Sequence, residues 1–133
     1  MPKHFDSNFI KEVEEMMRKK VIEHLDKIAI NAHNRLTSAT PVDLGQARAG
    51  WNFTLNNISS KVPKAPIRKN PKNILSIPKS APNSYARKIG DKYFLTNGVK
   101  HVKYLNEGSS QKAPTNFIEI EVHAAVKDIE GQK

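Results

Sequence analysis

The chain has no cysteine. That removes disulfides, thiolate zinc sites and cysteine nucleophiles together, and it agrees with folding in a reducing cytoplasm. Long apolar runs are also missing: no stretch approaches the roughly 20 residues that cross a bilayer. Met1-Pro2-Lys3-His4-Phe5-Asp6 has no signal-peptide core either. The expectation is a soluble, intracellular product with no membrane partner. Acidic residues are scarce in one region only. Residues 37–105 hold twelve Lys or Arg against two Asp or Glu, residues 1–36 seven against six, and residues 106–133 three against five. The net charge of +9 therefore sits in the centre of the chain. Such a block points to a polyanionic neighbour, either nucleic acid or an acidic protein surface, or else to a solvated face that aids solubility.

Groupings that carry chemistry are absent too. His4, His24, His33, His101 and His123 are scattered, and His24 and His33 lie nine apart rather than on one helix face at i,i+4. They read as solvated or packed histidines rather than metal ligands. Gly90 and Gly98 stand alone, so no glycine-rich phosphate loop exists. Asp43 is better explained as a helix cap and Glu107 as a turn or interface residue than as an acid or base. Ser109 and Ser110 lack the strand-Ser-helix setting of a nucleophile elbow. The residues thus predict no enzyme, no catalytic residue, no cofactor and no metal site.

The 133 residues fit one domain with a modest core. From about Ser7 to Leu36, apolar side chains recur every three or four residues at Ile10, Val13, Met17, Val21, Leu25, Ile28, Ala32 and Leu36. That spacing predicts one long amphipathic helix in an amino-terminal region 1–39, with Asp6, Ser7 or Asn8 as N-cap. Its expected place is across the sheet for most of its length. Met16, Ile22 and Ile30 form a second apolar line that favours a further interface.

Region 40–56 is a helix-to-sheet corner. Pro41 biases Thr40 toward extended backbone, so the long helix should stop there. Asp43 is placed to cap a short helix with Gln46 at its third position, and Gly50 to end it. Trp51, Phe53 and Leu55 then alternate with Asn52, Thr54 and Asn56, the period of a half-buried strand. Region 57–83 holds Pro63, Pro66, Pro71, Pro78 and Pro82 among six basic residues and no acidic one, which reads as a long basic loop or β-arm. Ile74-Leu75-Ser76-Ile77 could form a short edge strand within it.

In region 84–133, Tyr85–Lys88 could add one helical turn. Lys92–Thr96 reads as a strand ending at an Asn97-Gly98 turn, and Val99–Leu105 as a returning strand or a strand followed by a helical turn. Tyr93, Phe94 and Tyr104 fall at strand-like, core positions. The last element alternates at Ile118, Ile120 and Val122, yet Ile118, Val122, Ala125 and Ile129 suit a helix. Asn116 as N-cap with Glu119 at the third position favours the helix. The resulting fold class is α+β: a long helix on a small antiparallel sheet, with a basic arm and a short closing helix. Trp51, Phe53, Leu55, Phe94 and the helix stripe are the expected core.

Two stretches resemble a known family. Thr40-Pro41-Val42-Asp43-Leu44-Gly45-Gln46-Ala47-Arg48-Ala49-Gly50-Trp51 is similar to the Thr-Pro-Val-Asp-x-Gly-x-x-Arg-Ala-x-Trp segment of the neck and tail-completion proteins of tailed bacteriophages, which include minor tail proteins. Thr96-Asn97, Leu105, Glu107-Gly108, Ser110-Gln111 and Ala113-Pro114 fill the places of a second segment of that family. Asn106 separates Leu105 from Glu107, Lys112 is inserted before Ala113, and Gln46 stands where the family has Arg. Pro41, Asp43, Gly45, Trp51, Leu105, Glu107, Gly108, Gln111 and Pro114 are the structural positions the resemblance implies.

It further implies a virion protein at the head–tail junction or tail end, assembled in the host cytoplasm. Identical subunits would form a ring that joins connector or adaptor to tail proteins and lets DNA pass. Lys61, Lys64, Arg68, Lys69 and Lys72 are the candidate contacts to a partner or, without sequence preference, to genomic DNA. From other classes, the size and charge also fit a small basic nucleic-acid-binding protein, or an RNA-cleaving toxin dependent on His101 or Arg87. Tyr85, Arg87 and Lys88 and the Lys100–Tyr104 segment interleave cations with tyrosines as single-strand binders do.

Overall fold

A computed structural model describes residues 6–41, 46–62, 81–109 and 112–131. Asp43, Gly45 and Gln111, the basic residues Lys64, Arg68, Lys69 and Lys72, and the strand expected at Ile74–Ile77 lie outside the described residues. The elements run α1 (Ser7–Ala39), α2 (Gln46–Ala49), β1 (Trp51–Leu55), β2 (Tyr93–Asn97), α3 (His101–Asn106) and α4 (Phe117–Glu130). The fold is α+β: a long amino-terminal helix, a two-stranded antiparallel sheet and a short carboxy-terminal helix. No helix among the described residues is long and apolar enough to cross a membrane.

Helix α1 spans 33 residues, about 50 Å at 1.5 Å per residue. Of its three candidate caps, Asp6 is the one used: its carboxylate accepts from the Phe9 amide at 2.8 Å. The helix ends where Pro41 requires, with Thr40 extended at φ −72°, ψ 122°. The stripe is not uniformly buried. Ala29, Ala32, Leu36, Thr37 and Thr40 are buried, whereas Phe9, Ile10, Val13, Met16, Met17 and Val21 are exposed. The helix therefore lies against the body only from about residue 22 onward, which corrects the expectation that it crosses the sheet for most of its length. Among the described residues, the sheet of two short strands and the 14-residue α4 are too small to cover a 33-residue helix.

The carboxy-terminal half of α1 packs on α4. Asn31 donates to the Ala125 carbonyl at 3.2 Å and to Asp128 at 3.1 Å. Arg35 forks to Asp128 at 2.7 Å and Glu121 at 2.8 Å. Beneath these polar contacts Phe117, Ala125 and Ile129 are buried.

Helix α4 settles the ambiguity between strand and helix, but its cap is not the expected one. Asn116 takes the left-handed conformation, φ 62°, and makes no side-chain cap. The side chain that caps is Asn106, the last residue of α3: its Oδ1 accepts from the Ile118 amide at 2.9 Å and its Nδ2 donates to Glu119 at 3.2 Å.

Strands β1 and β2 pair from Trp51↔Asn97 to Leu55↔Tyr93. Phe53 and Leu55 are buried, while Trp51 and Phe94 are only half-buried, short of the full core position expected of them. Val99–Leu105 does not return as a strand. The Asn97 side chain accepts from the Val99 amide at 3.0 Å, which turns the chain out of the sheet. Val102 and Leu105, three apart, then pack as one face of α3. Tyr104 is accordingly exposed on α3 rather than in a strand. Tyr85–Lys88 forms no helix. Asp91 instead accepts from the Arg87 and Lys88 amides at 2.8 and 3.1 Å, and these contacts hold its carboxyl below the usual carboxylate range.

Candidate functional site

The two motif stretches, about fifty residues apart in the chain, meet at the carboxy-terminal end of α1. Ala47, Val99 and Val102 form a buried cluster on which Trp51, Leu105 and Ile118 pack. One tryptophan from the first stretch and one leucine from the second thus share a floor. Asn97 ties the stretches together by donating to the Ala47 carbonyl at 2.8 Å. Gly50 leaves room for that bond: a Cβ there would sit 2.7 Å from both Asn97 Oδ1 and Val99 Cγ2.

Three side chains at this corner, those of Thr40, Arg48 and Trp51, tie the end of α1 to the start of the sheet. Thr40 is wholly buried. Its hydroxyl donates to the Leu36 carbonyl at 2.6 Å and accepts from the Trp51 indole N–H at 2.8 Å. Arg48, reaching back from α2, donates from Nε to the Thr40 carbonyl at 3.0 Å and from Nη2 to the Ser38 carbonyl at 3.1 Å. Those carbonyls are among the last of α1 and have no intrahelical partner, so a guanidinium there satisfies them and opposes the helix dipole. Partial burial lowers the Arg48 pKa from its ordinary value, and the side chain remains a cation. The Thr, Arg and Trp of the motif therefore form one structural lock.

In the second stretch, Leu105 is half-buried and Glu107, Gly108 and Pro114 are exposed. Gly108 has φ +95°, and a Cβ there would lie 2.5 Å from the Thr115 hydroxyl; the turn requires glycine on both counts. The Pro114 carbonyl accepts from the Phe117 amide at 3.1 Å at the start of α4. Pro41 is half-buried immediately after the Thr40 lock.

Beside this corner lies an open groove of about 550 Å³. Trp51, Leu95, Val99, Val102 and Ile118 supply its apolar lining, and Lys100, Lys103, Asn106 and Glu107 its polar rim. Lys61, the candidate basic contact within the described residues, is exposed, and its carbonyl accepts from Asn52 Nδ2 at 3.1 Å. The structure does not bring it to the groove.

His33 is packed rather than solvated. It is buried, stacks on Phe53 at 5.3 Å, and lies 3.4 Å from the Trp51 carbonyl through Nε2 and 3.3 Å from the Thr37 hydroxyl through Nδ1. A carbonyl only accepts, so the neutral ring carries its proton on Nε2. Burial depresses its pKa, partly countered by the bond to Trp51. Phe53 in turn meets Tyr93 edge-on at 5.4 Å. The Tyr93 hydroxyl donates to Asp26 and accepts from the Ala86 amide. Its pKa is pushed up to about 12, by desolvation first and the Asp26 bond second. Among the described residues, no group of three or more His, Asp or Glu is placed to hold a metal ion.

Sequence reasoning missed Arg48 as the clasp on α1 and Asn106 as the cap of α4. Arg48 had a signal, since it stands at the motif's Arg position; Asn106 had none within its own local window. The chain matches no family model, no curated protein and no solved structure.

Proposed function

We propose that this chain is a structural protein of a tailed-phage virion, placed at the head–tail junction or tail end. There it acts as a ring of identical subunits between the head connector and the tail proteins. The observation that carries this reading is the exposed half of α1. Phe9, Ile10, Val13, Met16, Met17 and Val21 are all exposed on one stretch of helix. A contiguous apolar face of that kind marks a protein contact.

The motif resemblance supports the same role, because Thr40, Arg48 and Trp51, the motif residues at the corner, tie the end of α1 to the start of the sheet. On this reading the mechanism is geometric. The lock at Thr40, Arg48 and Trp51 fixes the direction in which α1 leaves the body, and the exposed half of α1 carries the contact. Non-specific attraction of the basic residues to DNA in the lumen would accompany the joint.

A second reading has one observation in its favour. Tyr85 and Tyr104 are exposed, near Arg87, Lys88, Lys100 and Lys103 in the chain, as a single-strand binder would have them. The two readings separate in an infected cell. Deleting the coding sequence from a phage genome that carries it should leave filled heads and separate tails, with joining restored by the chain supplied in trans. Normal yields of tailed particles after deletion would refute the junction role.

A further inference from the structure

Strand β2 has an open edge. In an antiparallel pair, residues alternately turn their backbone groups toward the partner strand and away from it. The Phe53 carbonyl accepts from the Asn83 amide at 3.3 Å and the Leu55 amide donates to Asn83 Oδ1 at 2.8 Å, so both residues turn away from β2. Leu95 and Tyr93 stand opposite them and therefore turn away from β1. Asn83 covers the outer edge of β1. Among the described residues, no hydrogen bond covers the corresponding N–H and C=O groups of Tyr93 and Leu95 on β2. Unpaired backbone groups at that period fit one kind of occupant, another extended strand. The edge is continuous with the groove, because Leu95, Asn97 and Gly98 line it together with Trp51, Val99 and Val102.

We propose that the occupant is Ile74-Leu75-Ser76-Ile77 of the same chain, docked antiparallel to β2 as a third strand with Leu75 opposite Leu95 and Ile77 opposite Tyr93. Residues 63–80 lie outside the described ones, and the places where the chain leaves and resumes select this segment. The described chain leaves at Val62, whose Cγ2 would lie 3.1 Å from a Cβ on Gly98, at the end of β2. It resumes at Ala81, just before the bond of Asn83 to β1. In the proposed register Ile77 and Asn83 lie three strand spacings apart, about 14 Å. The chain between them reaches up to about 20 Å, so the same copy suffices. Directly opposed residues share a face of the sheet, which puts Leu75 and Ile77 on the face where Leu95 lines the groove. Ser76 and Pro78 then turn their backbone outward, where the N–H that proline lacks costs no ladder bond. The contact anchors the basic arm to the sheet and does not depend on the virion role.

Hydrogen exchange followed amide by amide in NMR spectra of the full chain tests the pairing. Phe94 and Thr96 serve as internal controls, because their amides face β1. The expected result is a protected Leu95 amide in the native chain. In Leu75→Pro, which breaks the ladder, that amide should exchange faster by on the order of tenfold, while Phe94 and Thr96 stay protected and report a folded sheet. Isotope-labelled Leu75→Pro chain mixed with unlabelled native chain should remain unprotected at Leu95, because each copy supplies its own strand. A Leu95 amide that exchanges freely in the native chain, or that stays protected in Leu75→Pro, would overturn the pairing. Restored protection in the mixture would overturn the assignment to the same copy and give the strand to a neighbour. None of these readouts involves heads or tails, so a joining defect after gene deletion bears on the junction role and leaves this contact to be decided by exchange alone.

Discussion

The Trp51 indole N–H donates to the Thr40 hydroxyl at 2.8 Å, and that hydroxyl donates onward to the Leu36 carbonyl at 2.6 Å. One buried hydroxyl thus joins the first residue of the sheet to the last turn of α1 with both its roles filled. Thr40→Val keeps the shape but strands the indole N–H, and should cost about 1–3 kcal/mol of stability. Trp51→Phe removes the donor while the hydroxyl keeps its Leu36 bond, and its cost includes lost ring packing. Denaturant titration of the two single variants and the double should give a coupling of about 1 kcal/mol. Strict additivity would mean the bond adds nothing.

Asn106 holds the start of α4 from outside the helix. Asn106→Ala removes the acceptor for the Ile118 amide and the contact to Glu119, and should destabilise the protein by about 1 kcal/mol, the usual cost of losing a cap. Asn116→Ala would not test the same thing: that residue makes no side-chain cap and sits at φ 62°, so Asn116→Gly is expected to be neutral or slightly stabilising. Thermal melts of the three proteins check the order.

His33 makes stability depend on pH in a defined window. Its folded pKa lies below the ordinary 6.5 because burial disfavours the imidazolium. Below about pH 6.5 the unfolded chain binds a proton there that the folded chain does not, so stability falls with acid until the folded pKa is reached. Above that window the contribution is constant. Asp91 and Asp128, held low by hydrogen bonds from Arg87 and Arg35, lose their contributions only in the more acidic carboxylate range. Melting temperatures of the native chain should therefore drop from pH 7 to 5, and His33→Gln should flatten that slope even if its absolute stability is lower.

Burial separates two apolar residues that the sequence treats alike. Phe117 is 1 % exposed and Met17 is 63 % exposed. Phe117→Ala should cost about 3–5 kcal/mol. Met17→Ser should change monomer stability by less than about 0.5 kcal/mol and act instead on self-association, read by sedimentation. A large stability loss from Met17→Ser would mean that the helix is covered within its own subunit.

How much was legible follows from where each signal is local. The existence of α1, its stop at Pro41 and the strand from Trp51 were readable because periodicity and proline act on neighbouring residues. Which half of α1 is buried was not: Ile10, Val13 and Met17 continue the same stripe as Ala32 and Leu36, and where cover ends is set by elements distant in the chain. α4 was readable as a helix from Ala125 and Ile129, but its cap comes from Asn106, ten residues before the position a local window examines. At Val99–Leu105 the helical turn formed, as α3, but the strand expected with it did not, and there the Asn97 side chain accepts from the Val99 amide where the chain leaves the sheet. At the corner, Thr40 and Trp51 were visible as motif members, whereas the reach of Arg48 back to Ser38 required three dimensions.

The most direct test of the assembly role is electron microscopy, with mass determination, of the purified chain alone and mixed with connector-bearing heads. The account predicts closed rings, or added density at the head vertex, with a fixed number of copies. A monomer that leaves the heads unchanged while binding or cutting nucleic acid would contradict it.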